Sequence, residues 1–408
     1  MLRKKNPVLR TRLPTLPPAA RSRVALGLTA AAALGRFELQ QCRDCGAVQY
    51  PPREACEKCL SVRLSWRQQD DKGELLAATL LHHSNDLFFR ERLPWRLGLI
   101  KLACGPTLVV HLHADVPAAP ARLRVAARLD RAGQAVLVGL PEKENVNMAE
   151  DRQLREFSCD PKLRKVLVTD GKSALGQALV RTLAAAGAEL IWVGHAEPWK
   201  RLPGFDELQK LPQVTMVPLD LTDSKNVREL AGEIGAKVDI LVSNAELHRT
   251  HGIAGRQGVE TARAEMDVNY FGLLRLAQEF GPAMRARGAD GLASAVAWVN
   301  LLSIYALCNF PPHGTFSASK AAAQSLAQCL RAEMRPAGVR VVNVFPGPID
   351  DEWNQLLPPP KLAPAALATA IVNALREGVE DLYPGDVAQE WLERWRDNPK
   401  ALEKELST

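Results

Sequence analysis

Residues 299–320 read VNLLSIYALCNFPPHGTFSASK, and the fold of the chain turns on them. The apolar run SAVAWVNLLS, residues 294–303, has the make-up of a buried strand and ends at Ser303. Thirteen residues further on, FSASK leads into a helical run, AAAQSLAQCLRAEM. Phe316 and Lys320 are four apart there, hence one turn apart on one face. A strand-end hydroxyl, an aromatic ring and a lysine are thus set at defined intervals.

Outward from this stretch, strand-like runs alternate with helical segments from Lys165 onward: VLVT, ELIWVG, TMVPLD, VDILVSNA, AVAWVNLLS and VRVVNVFPG. Buried runs separated by helices, among them long ones near 258–285 and 317–334, predict an α/β Rossmann-like doubly wound parallel sheet. The motifs resemble those of the short-chain dehydrogenase/reductase family, from about Lys165 to the C-terminus. In that family a strand-end Ser, a Tyr and a Lys one turn after the Tyr form the catalytic group. The resemblance implies catalytic roles for Ser303 and Lys320, and a water-holding role in the proton relay for Asn269 of VNYFG. It implies that Asp220 and Leu221 of LDLTD contact adenine and that Pro346 and Gly347 of FPGP face the nicotinamide. A homo-oligomer built through the two long helices is a further implication.

Three departures set this sequence apart. The family's phosphate loop, TGxxxGxG, lets backbone amides at a helix N-terminus approach a pyrophosphate. Here it reads Thr169, Asp170, Gly171, Lys172, Ser173, Ala174, Leu175, Gly176. Asp170 puts a carboxylate beside an anion site, at a position where a positive φ is expected; Gly171 and Lys172 are candidates to shift the turn and restore charge. Next, VSNAE keeps Asn244 and Ala245 of the family's NNAG but has Glu246 for the glycine. His195, ending the second strand, is neither the acid that selects NAD nor the Arg that selects NADP, which leaves NADP slightly ahead because no carboxylate repels a 2′-phosphate. Last, the Tyr position is Phe316, which keeps the ring and cannot transfer a proton. Tyr305 and His313 are near enough in sequence to be candidate substitutes, although packing or surface roles are the plainer reading. Weak NAD(P) binding and impaired reductase catalysis are expected.

Toward the N-terminus, Cys42, Cys45, Cys56 and Cys59 form CxxC, ten residues, CxxC. Each pair can form a knuckle presenting two thiolates to one tetrahedral zinc ion, with Gly46 suited to the tight turn. Four thiolates leave no open coordination position, so a structural metal is expected. Five short strand-like runs between residues 73 and 140 predict a small OB-type barrel. Ribbon and barrel together resemble the zinc-ribbon/OB-fold family associated with acyl-CoA metabolism, whose members partner thiolase-like and hydratase enzymes. The same-face pair His111 and His113, and His82 with His83, read as ordinary barrel or loop residues because no further ligand completes a set.

The layout expected is a basic disordered tail (1–23), a lead-in helix and ribbon (24–70), a barrel (71–140), a linker (141–164) and the Rossmann-like domain (165–408). The chain's net charge is +6, but residues 1–23 hold seven basic residues and no acid, so the rest nets about −1. The basic character belongs to the tail, which argues against a nucleic-acid face; the barrel strands also offer few aromatics for base stacking. No apolar run reaches membrane-spanning length, and the cysteine pattern fits a reducing cytoplasm. These features favour a fusion of an acyl-CoA-type ribbon/OB module with a reductase fold that has lost ordinary catalysis. It would serve as scaffold or acyl-CoA-binding partner of a thiolase-like enzyme. The alternatives are a working NAD(P)-dependent oxidoreductase and, behind it, an OB-fold nucleic-acid binder.

Overall fold

A computed structural model describes residues 14–143, 146–196, 204–249, 252–255, 257–289 and 294–407. Thr15–Asp160 together with Ala374–Glu380 form one compact unit, and Pro161–Asn373 with Asp381–Thr408 form another. Residues 1–13, most of the expected basic tail, lie outside the described residues. Of the remainder of that tail, Thr15 donates to Glu91 and Arg21 faces Asp130 at 3.9 Å.

In the first unit a helix, Leu26–Ala33, buries Leu28, Ala31 and Ala32. Its sequence is apolar on every side, so it is a packing helix rather than an amphipathic one. Gly27 is where Trp66 lies against it: a Cβ there would meet the indole at 2.1 Å. Strand β1 (Glu38–Cys42) pairs antiparallel with β2 (Val48–Gln49) and β3 (Leu64–Gln68), making the ribbon sheet. Strands β4 (Lys72–Leu81), β5 (Trp95–Leu102), β6 (Thr107–Leu112), β7 (Ala121–Leu129) and β8 (Ala135–Leu140) close into a barrel in the order β4-β5-β6-β8-β7. Alternation along the strands turns Leu75, Ile100, Leu102, Leu112 and Leu123 into its core.

A second apolar cluster joins Phe88, Trp95, Met148, Leu154 and Phe157. It corrects the expectation for 141–164. That segment folds into 3₁₀ turns at Met148–Glu150 and Leu154–Phe157 instead of running as an open linker. Its few apolar residues are spaced for single turns, not for a helix or strand, and so show no period in the sequence. The same cluster buries Phe88 and Trp95 almost completely, leaving neither ring a face for stacking a base.

The second unit is a seven-stranded sheet with every pairing parallel. Its strands are β9 (Lys165–Val168), β10 (Leu190–His195), β11 (Val214–Pro218), β12 (Ile240–Ser243), β13 (Ala297–Leu301), β14 (Arg340–Val344) and β15 (Asp381–Leu382). The order β11-β10-β9-β12-β13-β14-β15 reverses direction between β9 and β12. That switch point opens a crevice at the carboxyl ends of the strands. The helix expected near 258–285 is three pieces: Glu260–Met266, a π-helical turn at Asp267–Phe271, and Gly272–Ala286. The helix bearing Phe316 and Lys320 begins earlier than expected, spanning Gly314–Met334. Two C-terminal helices, Asp386–Asp397 and Pro399–Glu405, bring Leu392 and Leu402 onto Ile304, Tyr305 and Phe316. Among the described residues no helix is long and apolar enough to cross a membrane.

Candidate functional sites

In the ribbon, the turn after Cys42 returns the chain so that Gly46 N–H donates to Cys42 O, with Gly46 at φ 72°. The second knuckle repeats the bond, Leu60 N–H to Cys56 O, with Leu60 at φ 61°. Sequence reading finds the first turn through its glycine and has no signal for the second. Asp44 N–H and Lys58 N–H point at the sulfurs of Cys42 and Cys56, each at 3.4 Å. The amides of Cys45 and Asp44 hold Cys42 down to about 6, despite some desolvation, so it is poised as a thiolate. The Cys42–Cys59 and Cys45–Cys56 Sγ pairs are each 3.6 Å apart, and all four sulfurs lie within 4.8 Å of one another. Sulfurs about 2.3 Å from a tetrahedral zinc ion would be about 3.8 Å apart. The four residues therefore fit one structural zinc with no position left open.

The crevice of the parallel sheet gathers the remaining sequence candidates. Lys320 is 2% exposed; its Nζ donates to Leu301 O at 2.9 Å and lies 2.8 Å from Glu246 Oε2. Burial works against the Glu246 charge, but Lys320 above all and the nearby histidines outweigh it and hold the carboxyl below its ordinary range. Asn269 sits in the π-helical turn, which re-aims one side chain inward. It donates to Leu247 O and Ser319 Oγ and accepts from Leu247 N–H. Ser303 Oγ accepts from Tyr305 N–H at 3.2 Å and reaches Pro346 O at 3.5 Å. Gly347 packs under Val387, where a Cβ would come within 3.1 Å.

Phe316 is buried among rings, with His248 4.8 Å, His313 6.0 Å and Tyr305 6.4 Å away between centroids. Tyr305 and His313 are both interior residues, not loop-surface ones. Tyr305 starts a short helix, Tyr305–Cys308, and stacks on Phe310. Its hydroxyl has no hydrogen-bond partner among the described residues, and burial pushes its pKa well above the ordinary phenol range. Sequence reading missed His248, which is 3% exposed, and Asp351, in the loop after β14. It missed Glu265 as well, which is fully buried and takes Arg249 N–H and the Thr315 hydroxyl. None of the three lies in a family motif, and only His248 and Glu265, as charged or polar groups near buried runs, carry even a weak signal.

At the phosphate loop the structure corrects one expectation. Asp170 does not take a positive φ; the described non-glycine residues that do are Leu60, Leu163 and Asn309. Asn244 anchors this residue, accepting from Asp170 N–H and donating to Asp170 O, while Thr169 Oγ1 accepts from the amides of Asn244 and Ala245. Gly171 is required by packing, since a Cβ would fall 2.0 Å from Val193 Cγ1. Gly176 is equally confined by Asp170 O at 1.9 Å. The amides that would meet an anion are engaged internally: Lys172 N–H by Asp170 Oδ1 at 2.9 Å and Gly176 N–H by Ser173 Oγ at 3.1 Å. Burial raises the Asp170 pKa in spite of these bonds. His195 contacts Phe205, as does Lys172 through its ammonium, and burial lowers the imidazole pKa. Asp220 Oδ1 holds Thr222 through its N–H and hydroxyl, and Leu221 is buried beside Gly272.

These features agree with the chain's relatives. A family profile described as short chain dehydrogenase matches residues 164–360. Two more, described as the ChsH2 rubredoxin-like zinc ribbon domain and the ChsH2 C-terminal OB-fold domain, match 29–64 and 66–134. The crystal structure of a short chain dehydrogenase from Burkholderia cenocepacia J2315 in complex with NADP is 33% identical, with a TM-score of 0.55, covering 61% of this chain and 99% of that one. A short-chain dehydrogenase from Streptomyces avermitilis is 25% identical with a TM-score of 0.52, covering 60% of this chain and 97% of that one. Among curated sequences, mouse dehydrogenase/reductase SDR family member 7B is 32% identical over 190 residues, 45% of this chain and 56% of that protein. The chain thus spans less than two thirds of that relative's length. It belongs to the short-chain dehydrogenase/reductase family. A zinc ribbon and an OB-fold domain precede the family domain.

Proposed function

We propose that the reductase-fold domain is impaired in hydride transfer and that the protein acts as a scaffold or ligand-binding subunit for a thiolase-like enzyme of acyl-CoA metabolism. The observation that carries this reading is that the chain's own carboxylates occupy both ends of the cofactor cleft. Asp170 takes an amide at the helix N-terminus where a pyrophosphate would bind, and Glu246 takes the ammonium of Lys320, which in the family binds ribose. With these two residues in place, the cleft does not fit a dinucleotide. When bound in a family member, the nicotinamide cofactor supplies a hydride; here Phe316 offers no proton to accompany it. That loss alone is worth roughly 10²- to 10⁴-fold in rate.

The ribbon and barrel supply the partner-binding part of the reading, since their domain types carry the resemblance to acyl-CoA-associated modules. Exposed Val259, just before the long helical segment, and exposed Phe271 within it support a homo-oligomeric contact. A cytoplasmic setting is consistent with eight free cysteines.

Titration calorimetry with NADH and NADPH, run beside an active relative, tests the reading. Dissociation constants far weaker than the relative's are expected. Tight binding of either nucleotide would overturn it in favour of a working NAD(P)-dependent oxidoreductase, for which the NADP-bound relative from Burkholderia cenocepacia is the supporting observation.

A further inference from the structure

We propose that Glu246, His248 and Asp351 form a second metal site, for a first-row divalent transition ion such as Zn²⁺ or Mn²⁺, in the crevice beside Phe316. Glu246 and His248 come from the loop after β12 and Asp351 from the loop after β14, so the parallel topology brings them together at the carboxyl ends of the strands. One ligand atom from each lies within 4.8 Å of the other two. Donors held 2.0–2.2 Å from an ion stand about 3.4 Å apart, so the three side chains would close by at most about 1.4 Å on binding.

His248 is the strongest indication. Its ring is 3% exposed, yet among the described residues neither Nδ1 nor Nε2 has a hydrogen-bond partner. Buried polar atoms are seldom left in that state, because the desolvation cost goes uncompensated. The ring plane is held by Phe316 at 4.8 Å and Trp353 at 5.6 Å, so the nitrogens cannot turn freely to find water. A metal ion would take one of these lone pairs.

The carboxylates are arranged as oriented ligands. Lys320 holds Glu246 through Oε2, while the amides of Trp353 and Asn354 and the Asn354 side chain hold Asp351 through Oδ1. Among the described residues, each keeps one oxygen, Oε1 and Oδ2, free of hydrogen bonds. Orientation of one oxygen by neighbours while the other ligates is the usual outer-shell pattern of a metal centre. The two carboxylates face the ammonium of Lys320 and, at the rim, the Arg249 guanidinium, which packs over Trp353 at 4.4 Å from the ring centroid. One imidazole with two carboxylates suits Zn²⁺ or Mn²⁺ rather than a soft, thiol-seeking ion. Three protein ligands would leave a position for an oxygen atom of a bound small molecule.

The test is metal analysis of the full chain after equilibration with Zn²⁺ and desalting. Wild type should retain two equivalents per chain. His248→Ala and Asp351→Asn should each retain one, and Cys56→Ser should retain the other one. Asn at 351 keeps the Oδ1 contacts that shape the loop, so Asp351→Asn decides the matter if His248→Ala fails to fold. In protein carrying one zinc equivalent, in the ribbon alone, Mn²⁺ binding followed by electron paramagnetic resonance should weaken at least tenfold in Asp351→Asn. One equivalent in wild type, or two that persist in a folded Asp351→Asn, would overturn the assignment.

Discussion

Restoring the cofactor cleft by removing Asp170 and Glu246 is the most direct challenge to the reading of the reductase domain. In wild type a dinucleotide has to displace the half-buried Glu246 carboxylate from the buried Lys320 ammonium, an ion pair at 2.8 Å. Displacing one partner of a buried pair costs about 3 kcal/mol or more, so Glu246→Gly is expected to tighten NADPH binding by about 100-fold. At the other end, a carboxylate about 4 Å from an incoming phosphate charge opposes it by about 4 kcal/mol at an effective dielectric of 20. Burial favours the protonated form of Asp170 and so reduces this penalty; about 2 kcal/mol, or about 30-fold, is a fair expectation for Asp170→Gly. The two carboxylates act on one another through space, so the gains need not add strictly, and about 10³-fold is expected for the double variant. Calorimetry with NADPH measures each step, and Phe316→Tyr on the double variant should then create reductase turnover on a 3-ketoacyl-CoA where Phe316→Tyr alone creates none. A folded double variant that binds NADPH less than tenfold better than wild type would refute the reasoning.

Three other outcomes are expected. Cys56→Ser should release the ribbon zinc and unfold the ribbon, read as lost amide protection in 36–68, while protection in the parallel sheet stays unchanged; a ribbon that keeps its protection without metal would contradict the structural role. His111, whose pKa burial lowers to about 4, accepts from Trp95 Nε1–H at 2.8 Å. Below its unfolded value near 6.5 the unfolded state binds the proton first, so the barrel should lose stability as pH falls from about 6.5 to 4, by about 3 kcal/mol in all. Hydrogen exchange of barrel amides against pH checks this, and His111→Gln, which retains an acceptor for Trp95, should flatten the slope. Leu60, at φ 61° and 78% exposed, pays a left-handed penalty without compensating packing. Leu60→Gly should raise ribbon stability by roughly 0.5–1 kcal/mol in chelator titration, and a loss of stability would show that the side chain has a partner.

The parts of this molecule legible in its sequence are those fixed by local pattern. Four cysteines at knuckle spacing, alternating buried runs and the Ser303, Phe316, Lys320 interval each specify geometry within a few residues of chain. Glu246 was legible as a departure, but its partner was not. That its carboxylate reaches Lys320 depends on how the loop after β12 falls across a helix more than seventy residues later. Asp351 was invisible and His248 only faintly marked for the same reason, because each gains meaning from a loop that follows a different strand. The 3₁₀ turns near Leu154 failed to register because single turns leave no periodic trace, and the burial of Tyr305 depends on C-terminal helices that carry no motif.

The π-helical turn at Asp267–Phe271 has a consequence for which changes of length the domain can tolerate. Such a turn holds one residue more than the α-helix it interrupts. The turn absorbs that surplus residue, so buried Leu273, Leu276, Phe280 and Met284 keep the rotational phase of an uninterrupted helix. Deleting one residue there would regularise the backbone and leave the following apolar stripe facing the sheet, since a π turn carries its extra residue through about the same rotation as an α turn. It would also remove Asn269 from Leu247 and Ser319. A one-residue deletion within VNYFG is therefore tolerable to the fold and costly at Asn269.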